Sequence, residues 1–592
     1  MIFNNLTPEQ IVAVRQEGHV LLSACPGSGK TKTIIHKLAY EVSKLDDLSK
    51  KKAIAVTFTV RAAEEIFKRL ERMGIDSQKV WSGTLHSFCL EWIIKPYSCY
   101  LTELQNGYTI ADESFKLALL SQLKSKYGVR TFEDINTRFK RDGSFAELKT
   151  IKKLILEDYH AELRVQKIID FDLMLYYSYK LLTIYPKIAK VISSLLHLIC
   201  VDEYQDTQDL SYAILCTIIN ASNDSTSLFL AGDIDQAIYH SLGGIAKDKT
   251  KIEGELQGKR VSMLPLTGNF RSNQRIIDYY NSFQSSPIQI VATGTNAKER
   301  GVITYNNKIH KDDLVVEIAR LVQESLYKDI PENEICILVP QWWLVTSMTR
   351  KLKMMLPNAS FDASSLAPMS KNRDNFWYKL SRLFLTEPSP TIYSLRYKWA
   401  GELLDKFHEH TGTKFSEPYS VERNILRLIN TISSKETEAI LYLEDCFKQF
   451  ISRLKLNQND LDILKDSWDI YFRNINNRLS DPEYDVPSDI VAFRNLYKES
   501  KGIVINTCVG IKGEEFETVI AFGLLEGFIP HWNDIFSTNT NEMESSNKLM
   551  YVICSRAKTN LHLISELGRT TRRGVALKVT PILNSKNYTY DN

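Results

Sequence analysis

Residues 21–31 read Leu-Leu-Ser-Ala-Cys-Pro-Gly-Ser-Gly-Lys-Thr. The two leucines are typical of the end of a buried strand, and Pro26 with the small residues around it predicts a tight turn. Lys30 and Thr31 then open an apolar pattern of helical period that continues to residue 38. This succession of strand, turn and helix is the layout of a phosphate-binding loop.

Each part of this loop suits a role in holding a nucleotide. Gly27 and Gly29 let backbone N–H groups approach a β-phosphate, and the helix N-terminus adds a favourable dipole. Lys30 can neutralise the β- and γ-phosphates, and the Thr31 hydroxyl can take one Mg²⁺ ligand position. The strict pattern begins with glycine where this chain has an alanine, and a glycine-rich turn before a core helix is the structural alternative. The candidate nucleotide-binding residues of the loop are Ala24, Cys25, Pro26, Gly27, Ser28, Gly29, Lys30 and Thr31.

Length and composition indicate a globular chain of several domains. The 592 residues exceed what one hydrophobic core serves, and the usual domain size suggests three or four domains. Hydrophobic residues make up 44% of the chain and charged residues 24%, which is ordinary for a globular protein. The formal charge of +3, from 74 basic and 71 acidic residues, neither supports nor excludes a local nucleic-acid groove.

The cysteines and the apolar runs predict a protein of the reduced cytoplasm. The cysteines form no CxxC pair, which argues against a structural zinc site and a disulfide framework. The N-terminal residues have no basic stretch followed by a long apolar run, and no segment has 18 consecutive apolar residues, so we expect no signal peptide and no membrane span. The nine cysteines are Cys25, Cys89, Cys99, Cys200, Cys216, Cys336, Cys446, Cys508 and Cys554.

A second strong signal lies at residues 198–207, Leu-Ile-Cys-Val-Asp-Glu-Tyr-Gln-Asp-Thr. An apolar strand here delivers two adjacent carboxylates at its end. Asp202 suits a Mg²⁺ ligand, and Glu203 suits orienting and deprotonating the water that attacks a γ-phosphorus. Alone, an acidic pair at a strand end is more often a turn. Together with a phosphate loop it predicts hydrolysis of a nucleoside triphosphate, with ATP and Mg²⁺ as the expected ligands.

Two further apolar runs, 53–59 and 228–233, predict parallel strands with polar ends. Ligands gather beyond the carboxyl ends of the strands in α/β sheets, so we expect ligand contacts there. After the second run, the amide of Gln236 can sense a γ-phosphate while Tyr239 reaches toward a second ligand. At the end of the first run, Phe58 has core packing as an equal alternative. The candidates at that end are Thr57, Phe58 and Thr59.

Two single residues are weaker candidates. Residues 6–10 predict a helix start with Thr7 as its N-cap, and Gln10 beside the phosphate loop is a candidate reader of an adenine edge. The alternative is an ordinary capped helix. His86 lies at another predicted strand end, within 83–88, where a lone histidine is more often structural than functional.

Taken in order, these stretches resemble the superfamily 1 helicases of the UvrD/Rep type. Gln10 matches the family's adenine-reading glutamine, and residues 24–31 match its phosphate loop, which often begins with alanine in this branch. Residues 202–207 read DEYQDT, as in the family. The resemblance implies that Thr57, Phe58, Thr59, His86 and Tyr239 contact DNA.

The second half of the chain carries the same resemblance. Residues 269–272, Asn-Phe-Arg-Ser, resemble the family's NYRS motif, which implies that Phe270 stacks on adenine and Arg271 reaches the γ-phosphate. Glu515 falls where a glutamate binds the ribose, and Thr507 falls in the DNA-contacting part of the same motif. The stretch around Arg556 resembles YVAxTRAK, which implies a second arginine finger.

Three positions depart from the family pattern. Ser241 stands where the family usually has an aromatic residue, Leu242 where it has arginine, and Val509 where it has histidine. The loss of one aromatic platform removes about 1–3 kcal/mol of stacking per base. We therefore expect an intact set of ATP-hydrolysing residues and a reduced set of DNA-contacting residues.

The resemblance implies an α/β fold with two RecA-like parallel-sheet domains of the P-loop NTPase class, each with a helical insertion. By length alone, Arg271 and Arg556 are expected on a different domain from Lys30. In the second insertion, Leu443, Phe447 and Phe450 have helical spacing and predict core. The expected domains are 1–89 with 192–268, the insertion 90–191, the second domain 269–370 with 501–592, and the insertion 371–500.

Two functions from different classes follow from this resemblance. The first is a motor that hydrolyses ATP between two domains and moves 3′-to-5′ along single-stranded or partly duplex DNA, in repair or antiviral defence. The second is a nucleotide-gated subunit that senses DNA and regulates a partner nuclease with little unwinding. The compact length is similar to that of helicase-like subunits of phage-defence systems such as Gabija, which act with a nuclease.

Overall fold

The computed structural model divides into two compact units, Met1–Glu299 and Arg300–Asn592. Within the part of the chain that the structure describes, no helix is long and apolar enough to cross a membrane. The described residues are 2–111, 113–131, 133–147, 149–222, 224–240, 243–285, 288–363, 366–369, 375–454, 456–480, 487–497, 502–535, 542–571 and 573–591.

The first unit is built on a parallel six-stranded sheet in the order β3-β2-β6-β7-β1-β8. Its neighbouring strands end level with one another, since Asp202 pairs with Ala231 and Ser23 pairs with Gly232. Polar residues that follow these strands therefore share one edge of the sheet. The strands of this unit are β1 His19–Ala24, β2 Lys52–Thr57, β3 Val80–Thr84, β4 Thr109–Ile110, β5 Ile168–Ile169, β6 Leu196–Asp202, β7 Ser227–Gly232, β8 Val261–Leu266, β9 Gly268–Asn269 and β10 Val291–Ala292.

Helices cover both faces of this sheet because its strands are apolar on both sides. Val20 and Leu22 face one core with Ile34 and Leu38, whereas Leu21 faces the core that continues into the helical insertion. The helices are α1 Pro8–Arg15, α2 Lys30–Ser43, α3 Val60–Arg72, α4 Leu85–Phe88, α5 Lys95–Tyr97, α6 Glu113–Lys126, α7 Thr150–Val165, α8 Phe171–Ile184, α9 Pro186–Ser194, α10 Asp209–Asn220, α11 Lys249–Glu255 and α12 Gln274–Asn281.

The helical insertion is fastened to the sheet domain by a charge cluster. A short hairpin, closed by the bridge between Phe139 and Phe145, carries Arg141 at its tip. The Arg141 guanidinium lies 2.7 Å from Asp209 of α10 and 2.6 Å from Glu255 of α11. Insertion and sheet domain are thereby joined by charge-assisted hydrogen bonds as well as by apolar packing.

Residues 269–299 belong to the first unit, whereas the sequence analysis assigns them to the second domain. The chain leaves β8, turns at β9 and packs against the phosphate loop instead of crossing to the second sheet. Asn269 and Phe270 make the hydrogen bonds that hold it there. These long-range contacts leave no periodic trace in the sequence, so the order of the motifs did not reveal them.

The second unit has its own parallel six-stranded sheet, in the order β11-β16-β15-β12-β14-β13. The apolar runs 334–339 and 518–522 have the pattern of buried strands, and both are strands within one or two residues, as β12 and β15. The chain thus has the predicted α/β class with two RecA-like parallel sheets. The strands are β11 Val302–Asn306, β12 Ile335–Val339, β13 Phe361–Ala363, β14 Ile503–Thr507, β15 Phe516–Ala521 and β16 Ala557–Ile564.

The helical insertion of the second unit has a separate aromatic-rich core. Leu443, Phe447 and Phe450 are fully buried in it, which confirms the predicted apolar stripe. The helices of this unit are α13 Leu314–Tyr327, α14 Trp342–Met355, α15 Phe376–Leu385, α16 Tyr393–Thr411, α17 Glu422–Asn430, α18 Ala439–Leu454, α19 Gln458–Ser480, α20 Ile490–Asn495, α21 Trp532–Ile535, α22 Glu542–Cys554 and α23 Pro581–Asn584.

Candidate functional site

The phosphate loop connects β1 to the N-terminus of α2, as predicted. Gly27 and Gly29 have φ angles of 68° and 79°, in the left-handed region that favours glycine. Gly29 is the N-cap of α2, so the first N–H groups of that helix face the loop. The Ser28 hydroxyl donates to the Cys25 carbonyl at 2.7 Å and holds the turn together. This backbone fits a triphosphate, since a helix N-terminus and glycine N–H groups converge on one point.

Gln10 is tied to the loop by both ends of its amide. Its Nε2 donates to the Ser28 carbonyl at 2.9 Å, and its Oε1 accepts the Thr7 N–H at 3.1 Å in a capping box. The side chain is buried. The capped helix of the structural alternative is therefore present, and it also braces the phosphate loop. Adenine recognition by Gln10 stays a prediction.

Thr31 and Asp202 come together as their predicted roles require. The Thr31 hydroxyl donates to Asp202 Oδ2 at 3.0 Å, although 171 residues separate them in the sequence. A hydroxyl and a carboxylate oxygen at this distance suit the first ligand shell of Mg²⁺ in a nucleotide site. Burial raises the pKa of Asp202, and the neighbouring Glu203 carboxylate raises it further, while Lys30 opposes both effects.

Glu203 has a backbone conformation that few residues adopt. Its φ and ψ are 54° and 46°, so this non-glycine residue is left-handed at the end of β6. Such strain is characteristic of functional sites, where the surrounding contacts impose it. The Glu203 N–H donates to Asp202 Oδ1 at 3.0 Å, and Glu203 Oε2 accepts a hydrogen bond from the Gln205 amide. The two adjacent carboxylates therefore have different hydrogen-bond partners in the same turn.

The segment after β7 supplies a second set of polar groups at the same edge. The Asp233 carboxylate accepts the Asp235 N–H at 3.0 Å and the Gln236 Nε2 at 2.9 Å. Burial raises the pKa of Asp233, and the positive charge of Lys30 opposes the shift. Gln236 is buried, with its amide hydrogen-bonded to this carboxylate. Its role as γ-phosphate sensor stays a prediction.

Cys25 lies in the loop as a buried thiol. Burial raises its pKa to about 12, with Lys30 opposing the shift. The thiolate is the reactive form of cysteine, so this thiol is unreactive at neutral pH. Of the two roles that a cysteine in this loop could have, a redox-sensitive thiol and a small inert one, the burial favours the inert one.

Phe270 and Arg271 lie beside the phosphate loop, within the first unit. The Phe270 N–H donates to the Gly27 carbonyl at 2.9 Å, and Asn269 Nδ2 donates to the Pro26 carbonyl at 2.8 Å. A Cβ atom on Gly27 would meet Arg271 Cβ at 2.7 Å. The expectation that Arg271 lies on a different domain from Lys30 is therefore wrong. The γ-phosphate role of Arg271 stays a prediction.

Two predicted DNA-contacting residues form an aromatic pair. Phe58, after β2, stacks on Tyr239, with ring centroids 4.6 Å apart and planes at 19°. Phe58 is 43% exposed, which decides against its core alternative. By contrast, the Thr57 hydroxyl donates to the Thr59 carbonyl at 2.8 Å, and the Thr59 hydroxyl caps α3. These two threonines shape the turn that presents Phe58.

His86 is half-buried in α4, where its ring packs edge-on against Phe171 at 5.3 Å. Burial lowers the pKa of its imidazole, and the Asp172 carboxylate opposes this shift. The packing of His86 against Phe171 is what the structural alternative for this lone histidine expects. Contact of His86 with DNA stays a prediction.

The predicted residues of the second unit differ in exposure. Arg556 is 1% exposed, and its guanidinium donates to the carbonyls of Val552 and Glu514 and to the Ser555 hydroxyl. Glu515 is exposed after the turn that follows β14.

The remaining two predicted positions of this motif lie at the end of β14. The Thr507 hydroxyl accepts the Gly510 N–H at 3.0 Å, and Val509 is 36% exposed. The departures at Ser241 and Leu242 lie outside the described residues.

Two residues of the site carry no role in the sequence analysis. Asn269 is fully buried and bonds both the phosphate loop and the Tyr280 hydroxyl. Gln205 is fully buried between Glu203 and Asp233. The sequence offers one indication for each: an asparagine or glutamine lies close after an apolar strand. A side-chain amide in such a buried position costs free energy unless it is hydrogen-bonded.

Comparison with known proteins agrees with this geometry. Residues 6–247 match the UvrD/REP helicase N-terminal domain family. The ATP-dependent DNA helicase PcrA of Staphylococcus aureus (strain Mu50 / ATCC 700699) is 22% identical over 641 residues, covering 96% of this chain and 84% of that protein. PcrA of Staphylococcus epidermidis (strain ATCC 12228 / FDA PCI 1200) is 23% identical over 644 residues with the same coverage. The phosphate loop, the acidic turn after β6 and these similarities agree: residues 6–247 match the N-terminal domain of UvrD/REP helicases, and the chain as a whole is similar to PcrA helicases.

Proposed function

We propose that this ATP-dependent DNA helicase of the UvrD/Rep type hydrolyses ATP at the phosphate loop and moves 3′-to-5′ along single-stranded DNA. One observation carries the hydrolytic part: the Thr31 hydroxyl lies 3.0 Å from Asp202, next to Glu203 in its strained turn. A phosphate cradle, a metal-ligand pair and a base at one sheet edge are the parts that this hydrolysis needs. The polarity comes from the family resemblance.

In the proposed reaction each residue has one task. Lys30 and the loop N–H groups hold the β- and γ-phosphates, and Thr31 with Asp202 holds Mg²⁺, which supplies positive charge to the phosphate oxygens. Glu203 accepts a proton from the water that attacks the γ-phosphorus. The bond from that phosphorus to the bridging oxygen breaks, and ADP and phosphate leave.

Further residues complete the nucleotide site. Arg271 stabilises charge on the transferring phosphoryl group, since its backbone lies against the loop and its guanidinium has a fixed fork of donors. Phe270 is 44% exposed and offers its ring to the adenine base. Gln10, Gln236, Glu515 and Arg556 have the roles that the family resemblance implies.

The aromatic pair of Phe58 and Tyr239 supports binding of single-stranded DNA. Stacking on aromatic rings tolerates any base, because every base has a π face. His86 and Thr507 contact the DNA by resemblance, and Thr57 and Thr59 act through the turn that carries Phe58.

The departures at Ser241, Leu242 and Val509 favour a second candidate function. With fewer groups to grip DNA, the chain would sense nucleotide and DNA and regulate a nuclease subunit, as in phage defence, with little unwinding. Strand displacement on duplexes with a 3′ or a 5′ single-stranded tail separates the two candidates. Displacement of the 3′-tailed duplex favours the motor, and DNA-stimulated ATP hydrolysis without displacement favours the sensor.

The experiment that tests hydrolysis is a steady-state ATPase assay with and without oligo(dT). We expect the wild type to be stimulated by the oligonucleotide and Glu203→Gln to lose at least about 10²-fold in kcat, because a general base supplies that much. Glu157, exposed on α7, provides the matched control Glu157→Gln, which should keep wild-type turnover. Turnover by Glu203→Gln within about threefold of wild type would refute the assignment of Glu203.

A further inference from the structure

Gln205 connects the proposed general base to the segment that carries the aromatic pair. It lies in the short 3₁₀ turn Tyr204–Asp206 that follows Glu203, and its side chain is fully buried. A buried amide needs partners for both of its ends, because an unpaired one costs free energy. The partners of this amide therefore indicate what it holds in place.

The side-chain amide of Gln205 forms hydrogen bonds at the ends of two different strands. Its Nε2 donates to Glu203 Oε2, beyond β6, and its Oε1 accepts the Asp233 N–H at 3.2 Å, beyond β7. One carboxylate oxygen of the proposed base is thus held by a donor whose own position depends on the next strand of the sheet.

The glycine at the end of β7 makes room for this bridge. A Cβ atom on Gly232 would lie 2.0 Å from Gln205 Oε1 and 2.6 Å from Tyr204 Cδ1. Gly232 has no positive φ, so the backbone conformation does not demand glycine there. The requirement is space for the amide.

Beyond the bridge, the hydrogen bonds continue toward Tyr239. The Asp233 carboxylate holds the Asp235 N–H and the Gln236 amide, and Asp235 Oδ1 accepts the Ser285 N–H at 3.0 Å. Three residues after Gln236 comes Tyr239, stacked on Phe58. Residues 233–237 are therefore held together by hydrogen bonds, and Tyr239 follows two residues later, between this turn and Phe58.

We propose that Gln205 is a positioning residue that makes the orientation of the Glu203 carboxylate depend on the position of segment 233–239. The inference rests on the proposed function, since it supplies the link between bound single-stranded DNA and ATP hydrolysis. When DNA bases displace the aromatic pair, the Asp233 N–H moves relative to Gln205 Oε1. The amide then reorients, and Glu203 Oε2 is released to accept a proton from water.

The test removes the amide without making a cavity. Gln205→Met conserves volume but can neither donate to Glu203 nor accept from Asp233. We expect the ratio of kcat with oligo(dT) to kcat without it to fall about fivefold or more, the usual size of a coupling between two sites. The KM for ATP and the oligo(dT) affinity, measured by fluorescence anisotropy, should stay within about twofold, because Gln205 is fully buried and its amide bonds protein groups.

Gln166→Met is the matched control. The Gln166 amide also donates to a glutamate, Glu162, at 2.5 Å, but on the exposed surface of the helical insertion. This control should keep the wild-type ratio. Gly232→Ala displaces the Gln205 amide without removing it, and its ratio should fall like that of Gln205→Met. If either variant fails to fold by circular dichroism, the other decides.

An unchanged ratio in Gln205→Met would overturn the inference, and so would an equal fall of kcat with and without DNA. A fall of the ratio explained by an equal loss of DNA affinity would also overturn it. Failure of the proposed function has a different signature: a wild type that DNA does not stimulate, or a Glu203→Gln variant that keeps turnover.

Discussion

Two arginines to which the family resemblance gives related roles are held in different ways. Arg271 follows Asn269, whose buried side chain fastens the segment to the phosphate loop, and its own side chain is half-buried. Arg556 is buried in the second unit, where its guanidinium donates to the Val552 carbonyl and the Ser555 hydroxyl near the α22–β16 turn and to the Glu514 carbonyl before β15. The two side chains therefore differ in burial: that of Arg271 is half-buried, and that of Arg556 is fully buried.

This difference separates the catalytic and the structural cost of losing each arginine. A half-buried side chain leaves fewer interior groups without partners when it is removed than a fully buried one does. A guanidinium that satisfies buried carbonyls leaves them unpaired when it is removed, which destabilises the fold. Kinetics and stability measured together therefore distinguish the two regions.

The largest expected effect on ATP hydrolysis comes from the phosphate loop, where both arginines are proposed to act. Lys30→Ala should lower kcat by at least about 10³-fold, because it removes a preorganised charge from the transferring phosphates. The measurement is steady-state ATP hydrolysis at saturating oligo(dT). Lys153, exposed on α7, offers the control Lys153→Ala, which should behave as wild type. Near-normal turnover by Lys30→Ala would remove the phosphate loop from the reaction.

The arginine variants sharpen the comparison directly. Arg556→Ala and Arg271→Ala should each lower kcat by about 10²-fold with KM for ATP within about threefold, because the charge is needed mainly in the transition state. Arg556→Ala should also lower the free energy of unfolding by about 2–4 kcal/mol, since buried carbonyls lose their donor. Chemical denaturation measures this second effect, which should be small for Arg271→Ala. A pure loss of ATP affinity would contradict the transition-state role.

The aromatic pair should affect DNA rather than nucleotide. Phe58→Ala should weaken oligo(dT) binding by about 1–3 kcal/mol, equivalent to roughly 5- to 150-fold, because one stacking platform is lost. Fluorescence anisotropy gives the affinity. Tyr327, 92% exposed on α13 in the second unit, supplies the control Tyr327→Ala. Equal effects of the two variants would show that general surface aromatics, and not this pair, bind the DNA.

The smallest expected effect concerns a buried histidine of the first insertion. His160 packs among Phe139, Phe145 and Tyr159, and neither of its ring nitrogens has a hydrogen-bond partner among the described residues. Burial lowers its pKa to about 4 from an ordinary value of 6.5. Between pH 6.5 and pH 4, His160 is therefore protonated in the unfolded chain and neutral in the folded chain. The free energy of unfolding is highest above about pH 6.5 and decreases as the pH falls toward 4.

Between pH 7 and pH 5 the free energy of unfolding of His160→Phe should fall by about 2 kcal/mol less than that of the wild type. The reason is that phenylalanine takes up no proton in either the folded or the unfolded state. Denaturant unfolding at the two pH values measures it. His562 of the second unit, with a pKa also lowered to about 4 by burial, still contributes its own loss in this variant. An unchanged pH dependence would show that His160 titrates normally in the folded protein.

Much of the site was predictable because it follows from strand ends. A parallel sheet brings the carboxyl ends of its strands to one edge, so Thr31 and Asp202 had to lie near each other once both runs were recognised as neighbouring parts of that sheet. The core stripe at Leu443, Phe447 and Phe450 was predictable for a similar reason, since helical period marks a buried face.

The remaining features depend on contacts between particular side chains. No periodicity shows that Asn269 bonds the Pro26 carbonyl, so the segment 269–299 was assigned to the wrong unit. The amides of Gln10 and Gln236 have protein partners that only three-dimensional packing reveals. The two hydrogen bonds of the Gln205 amide depend on the space at Gly232, which no pattern in the sequence indicates.

The close approach of Asn269 and Arg271 to Gly27 also limits which substitutions this chain can accept during evolution. Asn269, 243 positions from Pro26, occupies the room that any side chain at position 27 would take, together with Arg271. A substitution at position 27 therefore disturbs two motifs in a single genetic event. Among descendants of this chain, a larger residue there should persist only beside a compensating replacement at 269 or 271, so these distant positions are expected to covary.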